Sequence, residues 1–310
     1  MKLTRRKTVF ACLAGLLCAH AVYTAAAMWW LNQQHARLFA NVRAAGGEVD
    51  VSWRGRKWPW SLEPAVRVRL YHASADDALV QRLSSVAALE ELDLTGTQVS
   101  DDGIAHLTAA KRLYILRLDE TAVSDAAAKH LGQMTQLKSL YLIKTGIGDA
   151  GVVQLAGLVN LRDLDLSGTA ITDAALAHFS AMRLLIDLEL NNTAVTDAGL
   201  IHLTKLPQLK DLDLNGTHVG DAGIATIRGL RNLEELELSG TPVTDAGLAG
   251  LREFPVLDEL ELAETGITDA GLGHLHRCRR LETLDLTKTG VTPEAQRELQ
   301  AALPRLQIQR

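Results

Sequence analysis

Nine threonines, Thr97, Thr121, Thr145, Thr169, Thr193, Thr217, Thr241, Thr265 and Thr289, stand 24 residues apart with no insertion or deletion between them. A fixed internal period of this length marks a stacked array of small units rather than one folded-back domain. The same slots recur around each threonine. Leu lies eight, five and three residues before it in every copy, as in Leu113, Leu116 and Leu118 before Thr121. Val or Ile follows two residues after it, and Asp four after it in eight of the nine copies; the ninth has Pro293. A degenerate copy precedes them, keeping the register through Ala65, Val68, Leu70, Asp77, Val80 and Leu83 with Ala73 in the threonine slot.

Each slot has a physical reading. Alternation such as Leu116-Arg117-Leu118 is a short strand with two residues facing in and one facing out. Asp then stands where a helix N-cap is wanted, ahead of apolar residues three apart such as Leu248, Leu251 and Phe254. A strand–helix unit this small cannot bury its apolar face alone, so the copies stack. Strands pack ~4.8 Å apart and helices ~8–10 Å apart, which curves the array with a parallel sheet inside. Aromatics are only 4% of the 310 residues, and all five Trp fall at or before Trp60, so the core of the array is aliphatic.

Written out, the unit LxxLxLxxTxVTDAGLxxLxxLxx resembles the leucine-rich repeat family, in its 24-residue bacterial form with Thr where better-known repeats carry Asn. The resemblance covers residues 89–310 as nine full copies. It implies an α/β solenoid, a ribonuclease-inhibitor-like horseshoe with the parallel sheet on its concave face and short helices on its convex face. It also implies a protein-binding role for that concave face.

Several tempting residues are absorbed by the register. Cys278 takes the slot of Met134, Leu158, Met182, Leu206, Leu230 and Phe254, and so reads as a small core hydrophobe rather than a nucleophile. Gly103, Gly151, Gly199, Gly223, Gly247 and Gly271 lie in a first helical turn, not in a phosphate loop. His106, His130, His178, His202 and His274 share one helix position, but adjacent helices are too far apart for two imidazoles to share an ion, and no Cys or carboxylate completes a set. No catalytic, cofactor-binding or metal residues are assigned.

The informative positions are those facing out from the strands. Between the two strand Leu stand Asp93, Arg117, Tyr141, Asp165, Glu189, Asp213, Glu237, Glu261 and Asp285; two residues earlier stand Glu91, Ile115, Ser139, Asp163, Asp187, Asp211, Glu235, Glu259 and Thr283. From Asp163 to Glu261 both columns are acidic without a break. Like charges ~5 Å apart repel by ~0.8 kcal/mol even at the dielectric of water, so the ladder is mildly costly. It reads either as a binding face for a cationic protein or as a solvated face copied with each duplication, with Lys138, Arg162 and Lys210 partly compensating. Ile115, Arg117, Tyr141 and Ile143 interrupt it beside Tyr114, as an apolar and aromatic anchor of the kind found in interface hot spots or as a dock for the chain's own N-terminal segment.

The first 64 residues differ in kind. Residues 1–88 carry 12 Lys and Arg against 5 Asp and Glu, whereas residues 89–310 carry 20 against 32. That acidity argues against a nucleic-acid partner for the repeats. Lys2, Arg5, Arg6 and Lys7 precede residues 8–31, which hold no formal charge and end on Trp29-Trp30. As a helix this stretch is ~36 Å long, enough to span a bilayer. It reads as a signal anchor with the N-terminus in the cytoplasm and the repeats outside, or as a cleaved leader that secretes them. Residues 32–64 then read as a short amphipathic helix, a strand and an N-terminal cap, with Arg54, Arg56, Lys57, Trp58 and Trp60 either capping or lying on the bilayer surface. Residues 65–310 are the repeat domain, with Ala301–Ile308 as a C-terminal cap.

The expected function is a membrane-anchored protein–protein interaction module, not an enzyme, taking a protein partner with a basic surface and no cofactor or small-molecule substrate. The runner-up is a secreted or membrane-bound subunit of an enzyme complex, or an intracellular ligase-type adaptor. No Ser/His/Asp set, metal set or phosphate loop stands apart from the repeat.

Overall fold

The computed structural model describes residues 33–55 and 62–310. The expected membrane span at 8–31 and the basic, Trp-bearing stretch at 56–61 lie outside the described residues. Among those described, no helix is long and apolar enough to cross a membrane.

The strands are β1 (Glu48–Gly55), β2 (Leu62–Arg69), then, at the Leu-x-Leu segments, β3 (Leu89–Asp93), β4 (Ile115–Arg117), β5 (Ser139–Tyr141), β6 (Asp163–Asp165), β7 (Asp187–Glu189), β8 (Asp211–Asp213), β9 (Glu235–Glu237), β10 (Glu259–Glu261) and β11 (Thr283–Asp285), and last β12 (Gln307–Gln309). They make one sheet in strict sequence order. β1 runs antiparallel to its neighbour; from β2 onward the pairing is parallel. The register follows from the constant period: Leu116 pairs with Leu140, Leu140 with Leu164, and so on to Leu284 beside Ile308. These leucines stack as a continuous spine, fully or almost fully buried from Leu92 to Leu284, each contributing on the order of 1.5–3 kcal/mol of burial. A sheet strand and a short helix per 24 residues make this an α/β solenoid.

The Asp slot works differently from the cap read in the sequence. The N-cap is the residue before it: Ser124, Thr172, Thr244 and Thr268 have extended backbones, and their hydroxyls accept from the amide two residues on. Asp is the first helical residue, and its carboxylate reaches forward into the next repeat. Asp221 accepts from both the amide (2.8 Å) and the hydroxyl (2.7 Å) of Thr244. The same bond to the next N-cap residue runs from Asp77 to Ser100 through to Asp269 and Thr292. The Gly two residues after Asp makes room for it, since a Cβ on Gly223 would lie 2.5 Å from Asp197 Oδ1. The threonine of the period is a local clasp. Thr217 is buried and its hydroxyl donates to the Leu214 carbonyl at 2.6 Å, a bond repeated in every copy.

The outer elements are less uniform than a helix per repeat. Residues Gly199–Lys205 form a 3₁₀ helix, and the α-helices Asp173–Leu176 and Asp245–Leu248 pass into 3₁₀ turns at Phe179–Ala181 and Leu251–Glu253. The tighter coil still aims Leu200, Leu203 and Leu251 at the core. At the N-terminal end a helix over 33–44 stops at Gly46, whose φ is +94°, and buries Phe39 and Val42 against the same core as Val66, Val68 and Leu70. At the far end, helix Pro293–Ala302 and β12 cover Leu284 and Leu286.

Candidate partner-binding face of the sheet

Because every strand is in register, the two outward columns line up as rows of side chains across the sheet. Asp163, Asp187, Asp211, Glu235 and Glu259 occupy directly paired positions, as do Asp165, Glu189, Asp213, Glu237 and Glu261. Next to them the structure brings Ile115, Arg117, Tyr141 and Ile143 together on β4, β5 and the residues just after them, all half-buried. The Arg117 guanidinium carbon lies 3.7 Å from the centre of the Tyr141 ring, so the cation is stacked on its neighbour rather than extended over the acids. Ser139 is buried and donates to Asp163.

The ladder is neither freely solvated nor neutralised by bases. Asp165 and Asp213 are buried, and the other ladder carboxylates between Asp163 and Glu261 are half-buried. Of the bases offered by the sequence, Lys210 pairs with Glu234 at 2.6 Å, Lys138 lies over the Tyr114 ring, and Arg162 is exposed with no ion pair among the described residues. On this face the ion pairs among the described residues gather at the N-terminal edge, where Arg67 meets Asp50 and Glu91, and Arg69 also meets Glu91.

The acids respond by holding protons. Burial, then the charges of Asp163 and Asp165, pushes Asp187 up to about 6. Burial, then Asp165 as both a charge and a hydrogen-bond partner, pushes Glu189 up to about 8. Burial and the neighbouring Asp187 and Glu235 push Asp211 up to about 7, and burial with Asp213 and Glu261 pushes Glu237 up to about 8. The carboxyl–carboxyl hydrogen bonds of Asp165 with Glu189 and of Asp211 with Glu235 each need a shared proton. Full charge on every rung, with a mild cost per pair, therefore overstates the field of this face at neutral pH. Asp187 Oδ1 is sealed from solvent with no donor among the described residues.

A third row, two residues further along each strand, belongs to the site, and sequence reasoning picks out only Ile143 from it. Asn191 donates to Asp213 at 2.6 Å, and Asn215 donates to Glu237 at 2.6 Å. Asp119, buried in the same row, accepts from the Ile143 amide and the Thr95 hydroxyl, while burial raises its pKa. A signal is present: the row keeps the 24-residue period two residues before each threonine, but its mixed Asp, Ile, Ser and Asn content hides it. Among the described residues no group of three or more His, Cys, Asp or Glu has the geometry to hold a metal ion.

A family model described as Leucine Rich repeat matches residues 88–107, 158–179, 205–227 and 229–251. No curated protein matches the chain. Among solved structures, an internalin of Listeria monocytogenes has a similar fold, with a TM-score of 0.52 and 17% identity over 90% of this chain and 96% of that one. A leucine-rich repeat protein of Leptospira interrogans gives a TM-score of 0.52 and 20% identity, over 74% of this chain and 62% of that one. The leucine-rich repeat ectodomain of an Arabidopsis thaliana membrane receptor kinase, solved with Casparian Strip Integrity Factor 2, gives 0.51 and 17%, over 74% of this chain and 28% of that one. At these identities the likeness is one of fold. The matched segments fall in register on the 24-residue units, so these units are leucine-rich repeats stacked along one sheet.

Proposed function

We propose that the outward face of the sheet binds a protein partner through a Lys- or Arg-bearing segment, with Tyr141, Arg117, Ile115 and Ile143 as an apolar anchor at its N-terminal end. Leucine-rich repeat domains typically mediate protein–protein interaction, and nothing in the chain's recurrent polar positions departs from structural duty toward catalysis. The observation that carries the reading is the unbroken double row from Asp163 to Glu261, buried at Asp165 and Asp213 and half-buried elsewhere, short of counter-charge, with Asp187 Oδ1 lacking a donor among the described residues. A cationic segment laid across β6–β10 supplies donors to those oxygens and displaces the protons they retain, converting the cost of crowded carboxyls into a gain on binding.

The chain acts as a tethered module in this reading. Residues 8–31 anchor it in the membrane, with the N-terminus in the cytoplasm and the repeats outside. Recovery of the full-length chain in the soluble cytosolic fraction would remove the tether from the proposal.

The binding test is calorimetric titration with an arginine- and lysine-rich peptide at pH 7 in buffers of different ionisation enthalpy. Saturable binding, release of protons, and weakening with salt are expected. Tyr141→Ala should reduce affinity about tenfold, the loss of one aromatic anchor, and Asp187→Lys with Asp211→Lys should abolish binding. Affinity unchanged in both variants at every ionic strength would overturn the proposal.

A further inference from the structure

The opposite sign of charge gathers elsewhere, in the helix-to-strand loops of the last repeats. Arg277, Arg279 and Arg280 flank the buried Cys278 between helix Asp269–Leu275 and β11, and all three are exposed. A turn closed by Cys278 N–H to Leu275 C=O and Arg279 N–H to Arg277 C=O holds them within four residues. Arg279 lines two neighbouring clefts. One, of ≈ 470 Å³, is shared with His276, Arg305, Leu281 and Leu303. The other, of ≈ 120 Å³, is shared with Arg252, Arg277, Arg280 and Phe254.

The repeat supplies an internal control for what these slots ordinarily do. Fifteen residues after the threonine, Gln136, Asn160 and Asn232 donate to a carbonyl of the preceding loop, at 3.1, 2.8 and 2.8 Å, and tie the loops together. Arg280 takes this slot and makes no such bond among the described residues. Fourteen residues after the threonine, Arg231 is bound to Glu253 through both side chain and backbone. Arg279 takes that slot and, like Arg277, Arg280 and Arg305, has no ion pair among the described residues. Glu253 is already held by Arg231 and Arg252. Glu282, the acid nearest these arginines in sequence, pairs with none of them. Arg277, Arg279 and Arg280 therefore line the smaller cleft beside Arg252, and Arg279 and Arg305 line the larger one; unlike Arg252, which meets Glu253, none of these four has an ion pair among the described residues.

We infer that these loops form a site for a phosphoryl anion in the smaller cleft, gripped by Arg277, Arg279 and Arg280, with Arg305 of the next repeat across the neighbouring cleft that Arg279 also lines. The chemistry favours a phosphate group because guanidinium forks present paired N–H donors that match its oxygens, and several at once match its multiple charge. Leu281 and Leu303 line the larger cleft and Phe254 the smaller, beside the exposed guanidinium groups. The phosphoryl group comes from a soluble phosphate compound or from a lipid headgroup, and the site is independent of the acidic face.

The test titrates the full chain, held in detergent, with inorganic pyrophosphate and with soluble short-chain phosphatidic acid or phosphatidylcholine at low ionic strength, read by calorimetry. Saturable pyrophosphate binding identifies a soluble source; saturable binding of phosphatidic acid, without binding of pyrophosphate or phosphatidylcholine, identifies a lipid source. In either case Arg277→Gln/Arg279→Gln/Arg280→Gln should lose at least tenfold in affinity with an unchanged melting temperature, since all three side chains are exposed. The charge-preserving Lys triple should weaken binding several-fold, and Arg183→Gln, an exposed base on a distant loop, should leave it unchanged. Absence of binding to pyrophosphate and phosphatidic acid alike, full affinity in the Gln or Lys triple, or an equal loss in Arg183→Gln would overturn the inference.

Discussion

Raising the pH from 5 to 8.5 should destabilise this protein, the reverse of ordinary behaviour, in which carboxylates are better accommodated in the folded state and stability falls toward acid. Glu189 and Glu237 move from 4.5 in the unfolded chain to about 8 in the folded one, and Asp187 and Asp211 from 3.8 to about 6 and about 7. Between those limits the folded state binds more protons than the unfolded state, so the slope of unfolding free energy with pH is negative. The stability is fully present below about pH 4 and is lost as pH rises through 6 to 8. A tenfold difference in proton affinity between the folded and unfolded states is worth about 1.4 kcal/mol. All four side chains keep contact with solvent, so screening cuts each group to about 1 kcal/mol. Together they make the protein about 4 kcal/mol less stable at pH 8.5 than at pH 5. With a urea dependence of about 2–3 kcal/mol/M for a chain of this size, the midpoint should fall by about 1.5 M. The paired variant Glu189→Gln/Glu237→Gln keeps the shape and removes two titrations, so it should flatten the profile by about half and be the more stable protein at pH 8.5. His35, whose pKa is lowered by burial, works in the opposite sense but is common to both proteins and drops out of the comparison. A midpoint that is constant or higher at pH 8.5, with no difference between variant and parent, would refute the proton-holding ladder.

Further expectations concern the scaffold, each read by equilibrium denaturation. Asp221→Ala removes both bonds to Thr244 and should cost about 1–3 kcal/mol, whereas Thr244→Val, which leaves the backbone bond in place, should cost about 1 kcal/mol. Thr244→Val also removes the hydroxyl that caps the Ala246 amide, so the bridge is refuted by an Asp221→Ala cost near zero. Leu212→Ala empties a fully buried slot in the leucine spine and should cost about 2–5 kcal/mol; a loss under about 1 kcal/mol would indicate a core able to collapse around the gap. Gly216→Val places a β-branched side chain at φ +66°, with its Cβ 2.6 Å from Asn192 Oδ1, and should cost about 2 kcal/mol or more.

The sequence announces whatever repeats in contact with itself. Strand, threonine, apolar slots and the stacking of Leu116 on Leu140 all follow from a period that never slips. Less legible are features in which one copy serves another. Asp221 sits where a cap is expected, and no local rule shows that its partner is Thr244, 23 residues on. The residue before each threonine is left-handed in every repeat, yet only Gly96, Gly168, Gly216 and Gly240 advertise it; Glu120, Lys144, Asn192, Glu264 and Lys288 adopt it under tertiary constraint. The acidic rows are plain as letters, but protonation depends on burial and on neighbouring strands, and neither is written in one copy. The Arg277–Arg280 loop carries no signal in the register, because Cys278 fits its core slot and the arginines around it fall where polar residues are the rule.

The forward reach of the aspartates gives the array a direction. Each carboxylate fastens the repeat that follows, so the bond belongs to a junction rather than to a unit. The series stops at Asp269, which accepts from the Thr292 amide and hydroxyl, and Pro293 stands where the next accepting Asp would be. Proline suits the first turn of a helix and asks for no partner. Lengthening such a protein by duplication is therefore tolerated between Asp77 and Asp269, where a copied unit arrives with its own fastening and a threonine or serine ready to receive one. A unit placed after Pro293 would stack without that fastening, so the helix Pro293–Ala302 ends the series of forward bonds.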